Sequence, residues 1–138
     1  VIKKEKLLLK RNHRLTNIRK NYLNQTISEI VNRKPRFICI EDLNVSGMMK
    51  NRHLSKAVQA QGFFWFRKQL EYRCSDKGIQ LIVADRFYPS SKLCSCCGNI
   101  KKALKLSDRV YRCECGNMID RDFQAAINLK TYGEKFAG

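Results

Sequence analysis

The chain of 138 residues carries 28 Lys and Arg against 12 Asp and Glu, a formal net charge of +16. This length allows one domain with a modest core and a small additional module, and the positive charge favours a polyanionic partner such as nucleic acid. The sequence contains no run of 18 apolar residues, so we expect no membrane span, and no charged-then-apolar signal peptide opens it. Seven cysteines, an odd number with pairs at metal spacing, indicate a reducing compartment, and we expect the cytoplasm.

The first third of the chain predicts a long helix followed by a buried strand. Apolar residues recur at helical spacing from about residue 3 to 32, and Pro35 ends this helix. Its outer face is basic, which fits either a solvated surface or direct contact with nucleic acid. The pattern is already helical at Val1, so we expect a piece of a longer protein. Residues 36–41 (RFICIE) are rich in β-formers and predict a short strand.

A second helix and a second strand follow a polar loop at 42–53. The helix is predicted over 54–77 with Gly78 as its C-cap, and the strand over 79–85 (IQLIVAD). Aromatic residues at 63–66 favour core packing over a base-stacking platform. Two apolar strands joined by a helix predict a βαβ unit with parallel strands.

Two pairs of cysteines near the C-terminus have the spacing of a metal site. Cys94 and Cys97 form a C-x-x-C-G motif, and Cys113 and Cys115 follow about 15 residues later. Such pairs on tight turns, brought together by a short hairpin, hold one tetrahedral Zn²⁺. The second pair is closer than usual, so Cys96 remains an alternative ligand. The following Asp120 is predicted to cap a final helix over 121–132, with Phe123, Ala126, Ile127 and Leu129 facing inward.

Acidic residues at element ends are candidates for a second metal site. Glu41 ends the first strand, where ligands bind in open α/β sheets, and Asp122 lies in the first turn of the last helix. Asp42 must point to the opposite face from Glu41. An ion pair for Glu41 and helix-dipole stabilisation for Asp122 are the alternatives to metal binding. Asp85 is predicted to be a turn residue, and the isolated His13 and His53 are predicted to be exposed bystanders.

Four segments closely resemble the C-terminal half of the OrfB/TnpB proteins of bacterial insertion sequences, which are RNA-guided DNA nucleases similar to compact type V CRISPR effectors. These segments are ICIEDLNVSGM (38–48), RKQLEY (67–72), FYPSSKLCSCCG (87–98) and YRCECGNMIDRDFQAAINL (111–129). The resemblance implies an α/β fold, namely a partial RNase H-like (RuvC) fold with two parallel strands and helices, plus a small zinc ribbon. It implies a partial nuclease core over 1–92, a ribbon over 93–119, and a final helix and tail over 120–138.

The same resemblance implies site residues, cofactors and partners. Glu41 and Asp122 match two members of the family's catalytic Asp-Glu-Asp triad, which binds Mg²⁺ or Mn²⁺ and cleaves DNA by a two-metal mechanism. The ribbon ligands match Cys94, Cys97, Cys113 and Cys115, which would bind a structural Zn²⁺. The implied partners are DNA and, in the full-length protein, a guide RNA. Gln124 departs from the family's Asn, which would weaken hydrogen bonding around Asp122.

The triad's first Asp is absent from the chain, so we expect the 138-residue piece alone to be inactive. The strand that carries this Asp would pair beside residues 36–41, and its absence predicts self-association through a bare sheet edge. Two alternatives to the transposon nuclease remain: a basic zinc-ribbon module that binds nucleic acid without cutting it, and a decayed remnant of the same family.

Overall fold

The computed structural model describes residues 2–43, 54–105 and 107–138, with side chains in the middle range described from residue 61 onward. Most of the predicted 42–53 loop, including His53, lies outside these residues. The described part has a mixed α/β fold. Its elements are α1 (Ile2–Asn32), β1 (Phe37–Ile40), α2 (Leu54–Lys77), β2 (Gln80–Val83), β3 (Val110–Arg112), β4 (Met118–Asp120) and α3 (Arg121–Phe136). None of its helices combines the length and hydrophobicity that a membrane span requires.

The described residues divide into two compact units, and the first contains 2–35 and 54–79. Helices α1 and α2 pack together in this unit, with their buried side chains at Ile27, Val31, Leu70 and Cys74. The Arg73 guanidinium donates hydrogen bonds from α2 to the Asn24 carbonyl and the Ser28 hydroxyl of α1. The first two-thirds of α1 is exposed, so its apolar stripe is buried only near the C-terminus.

Helix α2 ends as the sequence predicted. Gly78 adopts a left-handed conformation with φ of 69°, which a side chain at that position would disfavour. The Ile79 amide donates to the Cys74 carbonyl and the Gly78 amide to the Ser75 carbonyl, the two hydrogen bonds of a Schellman motif. The aromatic residues at 63–66 are only partly buried, because Phe64 is exposed while the other three are intermediate.

The second unit contains residues 36–43, 80–105 and 107–138. Its first sheet pairs β1 with β2 in parallel, in the register Phe37 to Gln80 through Ile40 to Val83. The Ala84 amide continues the ladder by donating to the Ile40 carbonyl. The parallel pairing predicted from the strand, helix and strand order is therefore confirmed, and it places Glu41 and Asp85 just beyond the carboxyl ends of neighbouring strands.

The second sheet of this unit is an antiparallel hairpin of β3 and β4. Tyr111 pairs with Ile119 at the centre of the hairpin and is almost completely buried. Its hydroxyl donates to the Lys92 carbonyl at 2.9 Å. The hairpin is thereby attached to the segment that precedes the first cysteine pair, which brings the two cysteine-bearing turns together.

Helix α3 begins at the predicted cap, but its buried face differs from the prediction. The Asp120 carboxylate accepts a hydrogen bond from the Phe123 amide, as an N-cap does. Phe123, predicted to face inward, is 61% exposed. The buried residues are instead Gln124, Asn128 and Gly133. The prediction relied on hydrophobicity, whereas this helix packs through polar side chains that hydrogen-bond to neighbouring loops.

At Gly133, α3 lies close against β1. A Cβ atom there would overlap the Phe37 ring and lie 3.1 Å from the Cys39 Cβ. We therefore expect Gly133→Ala to destabilise the protein by about 1–3 kcal/mol despite the better helix propensity of Ala. Urea unfolding followed by circular dichroism measures this change.

The matched control is Gly62→Ala in α2, where an added Cβ meets no atom within 4 Å. This substitution is expected to stabilise the protein by about 0.5–1 kcal/mol through helix propensity alone. Equal effects of the two substitutions would contradict the close approach of α3 to β1.

Candidate metal centre and carboxylate site

Two similar turns, the second one residue shorter than the first, hold the four paired cysteines. In the first turn, the Gly98 amide donates to the Cys94 carbonyl, and in the second the Gly116 amide donates to the Cys113 carbonyl. Both glycines have positive φ, 77° and 95°, so a glycine suits each turn. The Cys94 amide donates to Asn99 and the Cys113 amide to Asn117, which closes each turn at its base.

The four sulfur atoms are spaced for one tetrahedral metal ion. The ligand atoms of Cys94, Cys97, Cys113 and Cys115 all lie within 4.8 Å of one another. The Cys94–Cys115 and Cys97–Cys113 sulfur pairs are 3.7 and 3.6 Å apart. A tetrahedron with zinc–sulfur bonds of about 2.3 Å has sulfur–sulfur edges of about 3.8 Å. These cysteines could therefore bind a metal such as zinc, whereas Cys96 is exposed and lies outside the cluster.

The electrostatics of the cluster also favour a cation. Burial raises the pKa of the Cys94 thiol, but hydrogen bonds from the Cys97 backbone and the Asn117 amide lower it more, to about 6. At Cys115 a hydrogen bond from the Asn117 backbone lowers the pKa, but hydrogen bonding with Cys113 and burial raise it more, to about 12. The site thus stabilises the thiolate of Cys94 and disfavours the thiolate of Cys115. A divalent cation among the sulfurs would stabilise both thiolates.

A part-buried hydrogen-bond network joins the cysteine cluster to α3. The Asn117 side-chain amide donates both to the Cys94 sulfur at 3.4 Å and to the Gln124 Oε1 at 3.0 Å. The Ser95 backbone amide donates to the same Gln124 oxygen at 3.2 Å. Gln124 was expected to affect hydrogen bonding around Asp122, but its side-chain oxygen contacts the cysteine turns instead. The residue therefore attaches the start of α3 to the cysteine cluster.

Removing the Gln124 acceptor is expected to destabilise the second unit. Gln124→Leu removes the acceptor of the part-buried Ser95 amide and one of the two acceptors of the Asn117 side-chain amide, and we expect a loss of about 1–3 kcal/mol. The Gln124 Nε2 has no partner among the described residues, so its removal offsets part of this cost. Urea unfolding measures the change, with Gln61→Leu on the exposed surface of α2 as the matched control. Equal stability of the two variants would contradict the structural role of Gln124.

Glu41 lies beyond β1 on the strand face that meets α3. Phe37 and Cys39 approach Gly133 of α3, and Glu41 follows them in the two-residue alternation of a strand. The Ser90 hydroxyl donates a hydrogen bond to the Glu41 Oε1. Asp42, predicted to take the opposite face, lies 3.8 Å from the Arg86 guanidinium. The two neighbouring acids thus have different partners.

The Glu41 carboxylate lines a cavity of about 290 Å³ within the second unit. Asp85 and Lys92 also line the cavity, and Leu129 of α3 contributes to it. The Asp85 carboxylate accepts a hydrogen bond from the Phe87 amide at 2.9 Å, which confirms the predicted turn role of Asp85.

Asp122 is exposed in the first turn of α3 and does not line this cavity. It precedes Leu129 by seven residues, which places the two on one face of the helix and about 10 Å apart along its axis. Among the described residues, the four cysteines are the one group of three or more metal-binding side chains whose ligand atoms converge. The structure thus brings the predicted cysteine ligands together, while Glu41 lines the cavity and Asp122 does not.

Two residues that the sequence did not single out connect this cavity to α3. Asn128 is buried, and its side-chain amide donates to the Ser90 and Leu93 carbonyls at 2.7 and 2.8 Å. Ser90 in turn holds Glu41. The polar QAAIN pattern inside an apolar helix segment was the available signal, because a buried amide needs hydrogen-bond partners.

Comparisons with known proteins agree with the resemblance seen in the sequence. Residues 63–129 match the family model described as Cas12f1-like, TNB domain. A Streptomyces pristinaespiralis protein named "Putative RNA-guided DNA endonuclease" is 38% identical over 120 residues, covering 87% of this chain and 30% of that protein. InsQ of Escherichia coli (strain K12), named in the same way, is 30% identical over 147 residues, covering 94% of this chain and 36% of its own.

A solved structure has the same fold. The protein chain in the cryo-EM structure of a Cas12f1–sgRNA–target DNA complex aligns with a TM-score of 0.62 at 17% identity, covering 89% of this chain and 35% of that chain. The chain thus spans about a third of the length of the relatives it matches. The matches in sequence assign this chain to the TnpB type, and the match to the solved structure shows a shared fold.

Proposed function

We propose that this chain contributes part of a RuvC-like nuclease that cleaves DNA under the direction of a guide RNA. Glu41 and Asp122 are the catalytic carboxylates and bind Mg²⁺ or Mn²⁺. The observation that carries this proposal is the packing of α3 against the face of β1 on which Glu41 lies. The helix that carries Asp122 is thereby fixed to the strand that leads to Glu41. The family relatives named for RNA-guided DNA cleavage support the substrate and the guide.

The helix runs past the strand in a direction that favours this pairing of acids. Gly133 lies against Phe37 and Cys39 at the start of β1, and Leu129 lines the cavity of Glu41 at its end. Following α3 further toward its N-terminus leads to Asp122 on the Leu129 face. Because β1 also runs toward the N-terminal end of α3, the strand end that carries Glu41 and the helix start that carries Asp122 lie on the same side, and we propose that both acids reach a region beside the cavity.

Carboxylate oxygens are the ligands that Mg²⁺ prefers, which fits both residues. Two bound metal ions would activate a water molecule and stabilise the leaving oxygen of the phosphodiester. The Ser90 hydroxyl fixes the orientation of the Glu41 carboxylate, and the exposed Asp122 needs little movement to meet a ligand. Two carboxylates are fewer ligands than two ions need, so we propose that this chain alone does not cleave DNA.

The cysteine-bearing region, residues 93–119, is proposed to be a zinc ribbon inserted between two parts of the nuclease core, 1–92 and 120–138. The sulfur spacing, the two matching turns and the β3–β4 hairpin support this organisation. Its metal is structural, because all four positions of the tetrahedron are taken by cysteine and no position is left for substrate.

A chimera tests the proposed function directly. This chain replaces the segment of E. coli InsQ that it matches, and the hybrid is assayed with a guide RNA and a matching DNA target. We expect cleavage that requires Mg²⁺ or Mn²⁺ and a matching guide. A hybrid that folds, binds its guide and leaves the DNA intact with either ion would count against a nuclease role for this chain.

A non-catalytic nucleic-acid-binding module is the second candidate, and the net charge of +16 favours it. The exposed part of α1 carries much of this charge, including Lys10, Arg11 and Arg14. If the chain is a binding module, its affinity for nucleic acid falls steeply as salt is raised and does not depend on Mg²⁺ or Mn²⁺. The hybrid then never cleaves DNA. The cleavage assay therefore separates the two candidates.

A further inference from the structure

An exposed aromatic ring lies at the rim of the Glu41 cavity. Phe87 is 88% exposed, the highest value among the exposed large apolar side chains of the described residues, and it lines the cavity that holds Glu41. An isolated apolar side chain on a surface is common. This ring differs because it lies beside a carboxylate site, in a loop in which the neighbouring Asp85 and Tyr88 side chains make hydrogen bonds.

The loop around Phe87 is fixed by hydrogen bonds on both sides. The Asp85 carboxylate accepts from the Phe87 amide, and the Asp85 carbonyl accepts from the Tyr88 amide. The Tyr88 hydroxyl donates to the Asn128 carbonyl, and its ring packs 4.7 Å from the Tyr132 ring. Tyr88 therefore points toward α3, and the backbone presents Phe87 to the outside.

Cations lie around the same cavity. Arg86 is on one side of Phe87 in the chain, and its guanidinium is half-exposed and 3.8 Å from Asp42. Lys92 is exposed and also lines the cavity. Proteins that bind single-stranded nucleic acid combine an aromatic face for a base with positive charge for the adjacent phosphate. Phe87, Arg86 and Lys92 offer this combination next to Glu41.

We propose that Phe87 is a positioning residue that stacks on an unpaired base of a DNA strand and thereby sets the adjacent phosphodiester over the Glu41 cavity. This proposal rests on the proposed function, which supplies the DNA strand and the phosphodiester that is cleaved. It also specifies the substrate class: the strand must be single-stranded at this point, because bases within a duplex are stacked on one another and leave no face for the ring.

The test measures binding and stacking with the 138-residue chain itself. The probe is a 12-nucleotide single strand with one 2-aminopurine, whose fluorescence falls when its base stacks. We expect the chain to quench this fluorescence and to bind the strand. In Phe87→Ala the quenching disappears and the dissociation constant rises about fivefold or more. Phe87→Trp restores both, since stacking needs an aromatic face.

Two controls separate stacking from structure and charge. Tyr72→Ala removes an exposed aromatic side chain (72% exposed) from α2, outside the cavity lining, and is expected to change neither quenching nor affinity. The melting temperature of Phe87→Ala is expected to equal that of the parent chain. A parent chain that fails to bind or quench the strand, equal weakening for duplex and single strand, or a lowered melting temperature that accounts for the loss would overturn the proposal.

Cleavage by the InsQ hybrid is a separate measurement. If the chain stacks on the probe but the hybrid never cleaves DNA, the proposed nuclease function is wrong and Phe87 keeps a base-binding role. If the hybrid with Phe87→Ala cleaves DNA as fast as the hybrid with the parent sequence, the proposed nuclease function stands and the positioning role of Phe87 is wrong.

Discussion

Replacing Glu41 by Gln in the InsQ hybrid is expected to reduce metal-dependent DNA cleavage by at least about a hundredfold, with little change in stability. Gln keeps an oxygen that can accept the Ser90 hydrogen bond, so the strand end and the cavity retain their arrangement. It loses the negative charge that holds a divalent cation, and the loss of one preorganised electrostatic group at a reacting centre costs roughly 10²–10³ in rate. Asp122→Asn is expected to have an effect of the same size.

The control for both variants is Glu134→Gln, which removes one exposed acid from the far end of α3. Glu134 lies 3.9 Å from Lys130 in an exposed i, i+4 pair worth well under 1 kcal/mol. Its variant should cleave at the parent rate. Binding of Mn²⁺, followed by electron paramagnetic resonance, should weaken in the Glu41 and Asp122 variants and stay unchanged in Glu134→Gln.

Normal cleavage by either variant would give its side chain a structural role instead of a catalytic one. If Asp122→Asn cleaves normally and only loses stability by about 0.3–1 kcal/mol, Asp122 is a helix-dipole residue and not a metal ligand. If Glu41→Gln cleaves normally, the carboxylate serves the local structure through Ser90. Either result would remove the two-carboxylate site on which the proposed function depends.

The fold was predictable wherever a local pattern determined the conformation. Helical spacing and Pro35 defined α1, Gly78 ended α2, and Asp120 capped α3, because these signals depend on a few neighbouring residues. The parallel pairing of β1 and β2 followed from the order of the elements. The cysteine cluster followed from spacing alone, since two short turns can converge on one ion in few ways.

The buried face of α3 was not predictable from hydrophobicity. Gln124 and Asn128 are buried because the loops beside them present amides and carbonyls that need partners, and no local pattern encodes where those loops will lie. Phe123 is exposed because it lies on a different face of the helix from the buried Gln124 and Asn128. The link from Asn128 through Ser90 to Glu41 joins residues far apart in sequence, so only the folded chain shows it.

Helix α3 joins the cysteine cluster, through Gln124, to the carboxylate site, through Asn128 and Ser90. Removal of the zinc proposed to bind the cluster is therefore the second change with a large expected effect. Structural zinc sites contribute about 10–16 kcal/mol of apparent binding free energy, which is also folding free energy. Without the ion, the Cys94 and Cys113 turns lose their common centre. The Asn117 and Ser95 donors that hold Gln124 then lose their fixed positions, and the start of α3 loses its attachment.

We therefore expect purified chain to contain about one zinc per molecule, and Cys113→Ser to contain almost none. The variant should also lose the near-ultraviolet circular dichroism of the buried Tyr111 and part of the helical signal, as should parent chain treated with a strong zinc chelator. Elemental analysis by mass spectrometry gives the metal content. Adding zinc back should restore the parent spectrum but not that of the variant.

Cys96→Ser is the matched control, because Cys96 is exposed and its sulfur lies outside the four-cysteine cluster. It should retain its zinc and its spectrum. Zinc lost from Cys96→Ser but kept by Cys113→Ser would mean that Cys96 replaces a member of the closely spaced second pair. Zinc absent from the parent chain would leave the cysteines as neighbouring thiols, and hydrogen bonding with Cys113 together with burial would then keep the pKa of Cys115 raised.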